Sequence, residues 1–195
     1  MSEFELYFVL GKDHILDYAN GYDHILFVLA LCAVYVIRDW KQILILVTAF
    51  TVGHSVTLAL ATLNMIAVSA DWIEFLIPVT IFTTAISNLF RKEETFSATG
   101  IHTNYILALF FGLIHGMGFS AYLRALLGKD QGILTQLFAF NVGLEIGQII
   151  IVGIFLAVSF IAITLSGINR RDWKLIISSA VAGIALMLMK ERIPG

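Results

Sequence analysis

Three histidines interrupt apolar stretches of this chain. His24 follows Asp23 in GYDHILFVLAL, His54 lies in FTVGHSVTL, and His115 lies between glycines in FFGLIHGMGFS. A further apolar stretch, FNVGLEIGQ, carries Glu145. An imidazole in hydrocarbon is costly unless it is paired, hydrated or bound to a metal. Because imidazole and carboxylate groups suit nickel, cobalt, zinc and copper, we predict that these residues build a divalent metal site.

Each polar residue also has a structural interpretation. A single histidine in a membrane helix often bonds a neighbouring carbonyl, and an aspartate at a helix start is a common cap. Asn141 and Gln148 suit helix–helix hydrogen bonds as well as substrate contacts, and Glu74 suits the membrane interface. We predict that His14 and His102 are solvated loop residues, with His14 able to assist ion capture.

Composition places the chain in a membrane. Of its 195 residues, 59% are hydrophobic and 13% charged, and the mean hydropathy is +0.90. An ordinary soluble domain needs more charge than this. The net charge of −2 gives no surface for nucleic acid. The single cysteine, Cys32, provides neither an internal disulfide nor a thiolate cluster.

Six apolar segments predict an all-α bundle of six transmembrane helices in one integral membrane domain. The predicted spans are residues 21–37, 42–63, 72–90, 104–127, 133–165 and 175–189. Residues 4–10 are too few to cross, and we predict that they lie at the membrane interface or cap the outer mouth of the bundle.

Basic residues predict the orientation, because cytoplasmic loops hold most lysine and arginine. The clusters share one side of the predicted bundle: Arg38 with Lys41, Arg91 with Lys92, and Arg170, Arg171 and Lys174. Both termini are therefore predicted outside. In this topology the polar residues lie between the midplane and the outer surface, which predicts a polar cavity open to the outside.

A weak repeat accompanies these segments. FTVGHSV at 50–56 resembles FNVGLEI at 140–146, ninety residues later, and His24 and His115 are 91 residues apart. Two three-helix units in one membrane would be inverted relative to each other, as in many secondary transporters. The glycines beside His54, His115 and Glu145 would let the three helices approach closely.

The segments GYDHILFVLAL, FTVGHSVTLALA, FGLIHGMGFS and FNVGLEIGQ resemble, in order, the signature segments of the HupE/UreJ membrane proteins. This resemblance implies a small polytopic protein of a bacterial inner membrane, with permease activity for nickel or cobalt. In the better-studied branch of the family a glutamate closely follows the fourth-helix His-Gly. Here Met117, Gly118, Phe119 and Ser120 follow instead, and we predict that Glu145 supplies the carboxylate.

Two functions of different classes fit these residues. The first is transport of a divalent ion taken from the outside through Asp23 and the three histidines. The alternative is an intramembrane zinc-dependent hydrolase acting on a lipid or peptide, with Glu145 or Asp23 as general base and Ser55 and Ser120 orienting substrate. A third interpretation is an assembly factor whose polar cluster is structural.

Overall fold

The computed structural model describes residues 2–18, 21–91, 98–127 and 133–195, without the side chains of 98–103, 124 and 127. The prediction of an all-α protein is confirmed, because 86% of the described residues are helical and no strand occurs among them. The helices are α1 (Glu3–Leu16), α2 (Tyr22–Cys32), α3 (Trp40–Thr62), α4 (Ala70–Phe90), α5 (Ala98–Gly118), α6 (Ser120–Leu127), α7 (Ile133–Phe160) and α8 (Arg170–Glu191).

Four helical segments in the described ranges are long and apolar enough to cross a membrane: Ile37–Thr62, Ala70–Phe90, Ile133–Leu165 and Arg170–Glu191. Ile133–Leu165 extends α7 through a π-helical turn, Ile161–Leu165. The chain is therefore an integral membrane protein.

Two predicted spans differ from the observed helices. Instead of continuing to residue 37, α2 ends at Cys32, and its 11 residues are too few to cross alone. The predicted span 104–127 is broken at Phe119, which separates α5 from α6. Hydropathy missed both breaks because the residues on either side of them remain apolar.

The first helix is longer and more deeply packed than predicted for residues 4–10. A Cβ on Gly11 would collide with the backbone of Phe140 in α7, and a Cβ on Gly143 would collide with that of Phe8 in α1. The amide of Gln136 donates to Glu3 at 2.5 Å, near the start of both helices. These contacts show that α1 and α7 run side by side in the same direction.

Together, α1 and α2 accompany the whole length of α7. Arg170, which follows α7, donates to the carbonyl of Val34 at 3.0 Å, and its guanidinium lies 3.6 Å from Asp39. The end of the α1–α2 pair is thus level with the end of α7. We call the face with Glu3 and Gln136 the N-terminal face, and the face with Val34, Asp39 and Arg170 the basic face.

Glycines also join α3 to α5. A Cβ on Gly53 would meet the carbonyl of Leu109, and a Cβ on Gly112 would meet that of Phe50. Since backbones touch only where Cβ atoms are missing, these contacts fix the register of α3 against α5. His54 and His115 are brought to the same level as a result.

Two further helices close the bundle. α4 ends at the basic face, where Asn88 donates to the carbonyl of Ala30 at 2.7 Å. α8 begins there, because the Lys174 ammonium donates to the carbonyl of Arg91 at 2.6 Å. After 22 residues α8 ends beside α2, where Arg192 meets Asp23.

Candidate metal site

Four histidines from four helices meet in the half of the bundle nearer the N-terminal face. His14 comes from the last turn of α1, His24 from the first turn of α2, His54 from α3, and His115 from the last turn of α5. The ring centroid of His24 lies 4.7 Å from that of His14, 6.1 Å from that of His54 and 5.3 Å from that of His115. His24 is the centre of the cluster.

Three of these rings are spaced to hold one ion. His14, His24 and His54 each offer a nitrogen, and the three nitrogens lie within 4.8 Å of one another. Imidazoles bound to one ion at about 2.0–2.1 Å place their nitrogens roughly 3.4 Å apart. Small side-chain rotations would therefore close the site around a cation.

Several ring nitrogens of the cluster have no hydrogen-bond partner in the described part of the chain. Among the described residues, Nε2 of His14, both nitrogens of His54 and Nδ1 of His115 have no hydrogen-bond partner. His54 is fully buried, and His115 is 1% exposed. Buried polar atoms without partners are costly, and an ion bound to one nitrogen of each ring would offset part of that cost.

Thr80 orients the ring of His115. Its hydroxyl donates to the carbonyl of Ile77 at 2.7 Å and lies 3.2 Å from Nε2 of His115. Because the hydroxyl hydrogen of Thr80 is engaged with the carbonyl of Ile77, the hydroxyl oxygen is placed to accept a hydrogen bond from Nε2–H of His115. Nδ1 of His115 is then unprotonated and free to bind an ion.

Asp23 supplies the negative charge nearest the cluster. Its Oδ1 accepts the backbone N–H of His24 at 2.8 Å and lies 3.0 Å from Nδ1 of the same residue. Its Oδ2 lies 3.3 Å from the guanidinium of Arg192. At 7% exposure, this carboxylate needs compensating charge.

A cavity of about 860 Å³ leads to the cluster. His14, Asp23, His24 and His115 line it together with three further carboxylates, those of Asp13, Asp17 and Glu74, and with Arg192. The cavity opens at the protein surface beside Tyr18, which lines it and is 84% exposed. Several carboxylates in one cleft raise the local concentration of cations.

Phenylalanines enclose the other sides of the cluster. The ring of Phe119 lies 4.0 Å from that of His14, and the ring of Phe140 stacks on that of His54 at 6.5 Å. Phe27 and Phe50 each lie 5.2 Å from the ring of His115. These apolar rings exclude water from the buried side of the imidazoles.

Glu145 lies apart from the histidine cluster. Its carboxylate accepts a hydrogen bond from the hydroxyl of Thr48 at 2.7 Å, and Thr48 lies about 9 Å before His54 along α3. Gln148 accepts the hydroxyl of Thr51 at 2.7 Å, and its own amide nitrogen has no partner among the described residues. These two residues connect α7 to α3 rather than extending the cluster.

The remaining predicted residues lie in varied surroundings. The hydroxyls of Ser55 and Ser120 donate to carbonyls of their own segments, Thr51 and Met117. Asn141 has a buried amide oxygen with no partner in the described part of the chain. Glu74 lines the cavity. The side chain of His102 lies outside the described part of the structure.

The prediction that His14 is a solvated loop residue is wrong. His14 lies in a helix, and its Nε2 is buried within the cluster. The sequence carries a signal for it, because His14 follows Gly11 in GKDH as His115 follows Gly112 in GLIH. Thr80 and Arg192 carry no comparable signal, since their roles depend on contacts with distant segments.

Comparisons with known proteins agree with the sequence resemblance. A family model described as HupE / UreJ protein matches residues 1–192. Curated proteins and solved structures give no match.

Proposed function

Because the chain belongs to the HupE/UreJ family, we propose that it carries a divalent transition-metal ion, nickel or cobalt, across a bacterial cytoplasmic membrane. The observation that carries this proposal is the group of His14, His24 and His54, each of which offers a nitrogen within 4.8 Å of the others, beside an acidic cavity. Nitrogen ligands with one nearby carboxylate suit borderline divalent ions better than calcium or magnesium.

The cavity would deliver the ion in two stages. Asp13, Asp17 and Glu74 attract a hydrated cation, and the imidazoles then replace its water ligands. Asp23 offsets part of the ion's charge in the apolar interior. Binding displaces protons from the imidazoles, which would couple occupancy of the site to pH.

Six membrane crossings account for the helices: α1 with α2, α3, α4, α5 with α6, α7, and α8. The glycine contacts support an inverted repeat, because Gly53 and Gly112 join α3 to α5 as Gly143 and Gly11 join α7 to α1. In this correspondence His14, rather than His24, is the counterpart of His115. The breaks after α1 and after α5 are then equivalent, and each lies beside a histidine.

The basic residues support an orientation with the cavity outside. Arg38, Arg91 and Arg170 lie at or near the basic face. By the positive-inside rule this face is cytoplasmic, so both termini lie outside.

The hydrolase alternative has less support. Glu145, one proposed base, lies away from the histidines, and Asp23, the other, faces Arg192. The hydroxyls of Ser55 and Ser120, which were to orient substrate, donate hydrogen bonds to backbone carbonyls of their own segments.

The test compares ion binding and uptake for His54→Ala with those for His102→Ala. His102 lies 13 residues before His115 on α5, about 20 Å along the helix. His54→Ala should weaken Co²⁺ binding by about tenfold or more and abolish uptake of labelled nickel or cobalt in expressing cells. His102→Ala should behave as wild type. Equal uptake by the two variants would refute the site, and absence of binding by the wild type would refute the function.

A further inference from the structure

The guanidinium of Arg192 already lies beside Asp23, the only buried carboxylate among the described residues that line the cavity. Arg192 follows the last turn of α8, and its guanidinium Nη1 lies 3.3 Å from Oδ2 of Asp23. The side chains of Arg192 and Asp23 are 23% and 10% exposed, so water screens their interaction only partly. The same carboxylate adjoins His24, at the centre of the histidine cluster.

A divalent ion and the guanidinium of Arg192 would compete for the carboxylate of Asp23. A divalent ion held by His24 and its neighbours would lie close to Asp23, and therefore close to the guanidinium of Arg192. Like charges at such short range in a partly dry cavity repel strongly. The carboxylate thus has one strong partner at a time, either the guanidinium or the ion.

The side chain of Arg192 is placed where it can move away from Asp23. It is the C-cap residue of α8, its backbone N–H is bonded to the carbonyl of Leu188, and Ile193 beyond it is 64% exposed. Its side chain can move without unpacking the helix. Glu74 and Asp17 line the same cavity and offer a released guanidinium other carboxylates.

We propose that Arg192 is an internal competitor for the transported ion: it neutralises Asp23 in the empty site, is displaced on binding, and so lowers the affinity of the site. This inference rests on the proposed function and adds a determinant of affinity to it. A buried carboxylate without a counterion is costly, so the guanidinium keeps the empty site stable. Because the ion must displace it, binding is weakened and release is easier, as transport requires.

The experiment measures Ni²⁺ affinity by titration calorimetry of the purified full-length protein in detergent. The variants are Arg192→Gln, Arg192→Lys, Asp23→Asn and the double variant Asp23→Asn/Arg192→Gln. Lys190→Gln is the matched control, because it removes the same charge from an exposed position on the last turn of α8.

Arg192→Gln should tighten Ni²⁺ binding on the order of tenfold, whereas Arg192→Lys and Lys190→Gln should bind as the wild type does. In the Asp23→Asn background, Arg192→Gln should have no further effect, because the carboxylate for which it competes is gone.

Three results would overturn the proposal. Unchanged or weaker binding by Arg192→Gln, in a protein whose thermal unfolding matches that of Arg192→Lys, would show that Arg192 does not compete. Equal tightening by Lys190→Gln, or tightening that persists without the carboxylate of Asp23, would show a general effect of charge. In each case wild-type Ni²⁺ binding would leave the proposed transport intact, whereas absence of wild-type binding would overturn both.

Discussion

At the scale of single residues, the directions of two hydrogen bonds determine which nitrogen of His115 can bind an ion. The hydroxyl of Thr80 donates to Ile77 and lies 3.2 Å from Nε2 of His115, so it is placed to accept the Nε2–H. This leaves Nδ1 as the available ligand atom. Hydrogen-bond partners of this kind fix the orientation and basicity of imidazole ligands in metal sites.

Thr80→Val should therefore weaken Ni²⁺ binding by about 10- to 100-fold, with little change in side-chain volume. Thr80→Ser should restore binding because it restores the hydroxyl. Thr83→Val is the control, since Thr83 bonds only the carbonyl of Val79 in its own helix among the described contacts. Ni²⁺ titration of the three variants checks this prediction. Failure of the serine variant to restore binding would show that packing, not the hydrogen bond, is what matters.

At the scale of helices, the cluster depends on two pairs that pack backbone to backbone. Gly53 and Gly112 bring α3 against α5, while Gly11 and Gly143 bring α1 against α7. The first pair positions His54 and His115, and the second positions His14. The sequence predicted close approach around His54, His115 and Glu145, but not the partnership of α1 with α7, because residues 4–10 are too short a run to indicate a packed helix.

Gly112→Ala should push α5 away from α3, because the new methyl group would meet the backbone of Phe50 and His54. We expect a loss of roughly 1–3 kcal/mol in the free energy of unfolding and weaker Ni²⁺ binding. Gly153→Ala on α7 is the control, since among the described residues no atom outside the adjoining helix backbone lies within 4 Å of its would-be Cβ. Helix propensity should leave that variant unchanged or slightly stabilised. Thermal unfolding in detergent compares the two, and similar melting temperatures would contradict the packing argument.

At the scale of the whole molecule, the two ends of the bundle are unequal. The cavity of about 860 Å³ leads to the histidines from one side, whereas a cavity of only about 110 Å³ lies among Tyr35, Asn88 and Asn104 near the basic face. Between them, the ring of Phe27 lies 5.2 Å from that of His115 and 5.9 Å from that of Phe111, which lines the smaller cavity. This arrangement fits a transporter that admits the ion from one side while aromatic rings close the other.

The proposed six crossings would place both termini on the same side of the membrane. In intact cells, a membrane-impermeant thiol reagent should label Ser2→Cys and Gly195→Cys. Ser166→Cys, in the exposed segment between α7 and α8, should be labelled only after permeabilisation. The wild type is the control, because its Cys32 is fully buried. Labelling of the two termini from opposite sides would exclude six crossings.

The lipid environment of the chain and the residue types of the candidate metal site could both be predicted from the sequence alone. Long apolar runs define membrane helices whatever their neighbours, because hydrocarbon accepts a backbone only when its hydrogen bonds are internal. Histidines inside such runs indicate a site for the same reason. The all-α fold and the family therefore followed from composition and short motifs.

Which polar residues meet follows from the packing of the helices, not from the sequence. His14 was predicted to be solvated, yet it lies in the cluster, and Glu145, a predicted ligand, accepts a hydrogen bond from Thr48. The position of His14 depends on the contact of α1 with α7 and that of Glu145 on the contact of α7 with α3, each formed between segments far apart in the chain. The pairing of Asp23 with Arg192 spans 169 positions. No local pattern encodes it, because a guanidinium and a carboxylate meet wherever the packing of the helices brings them together.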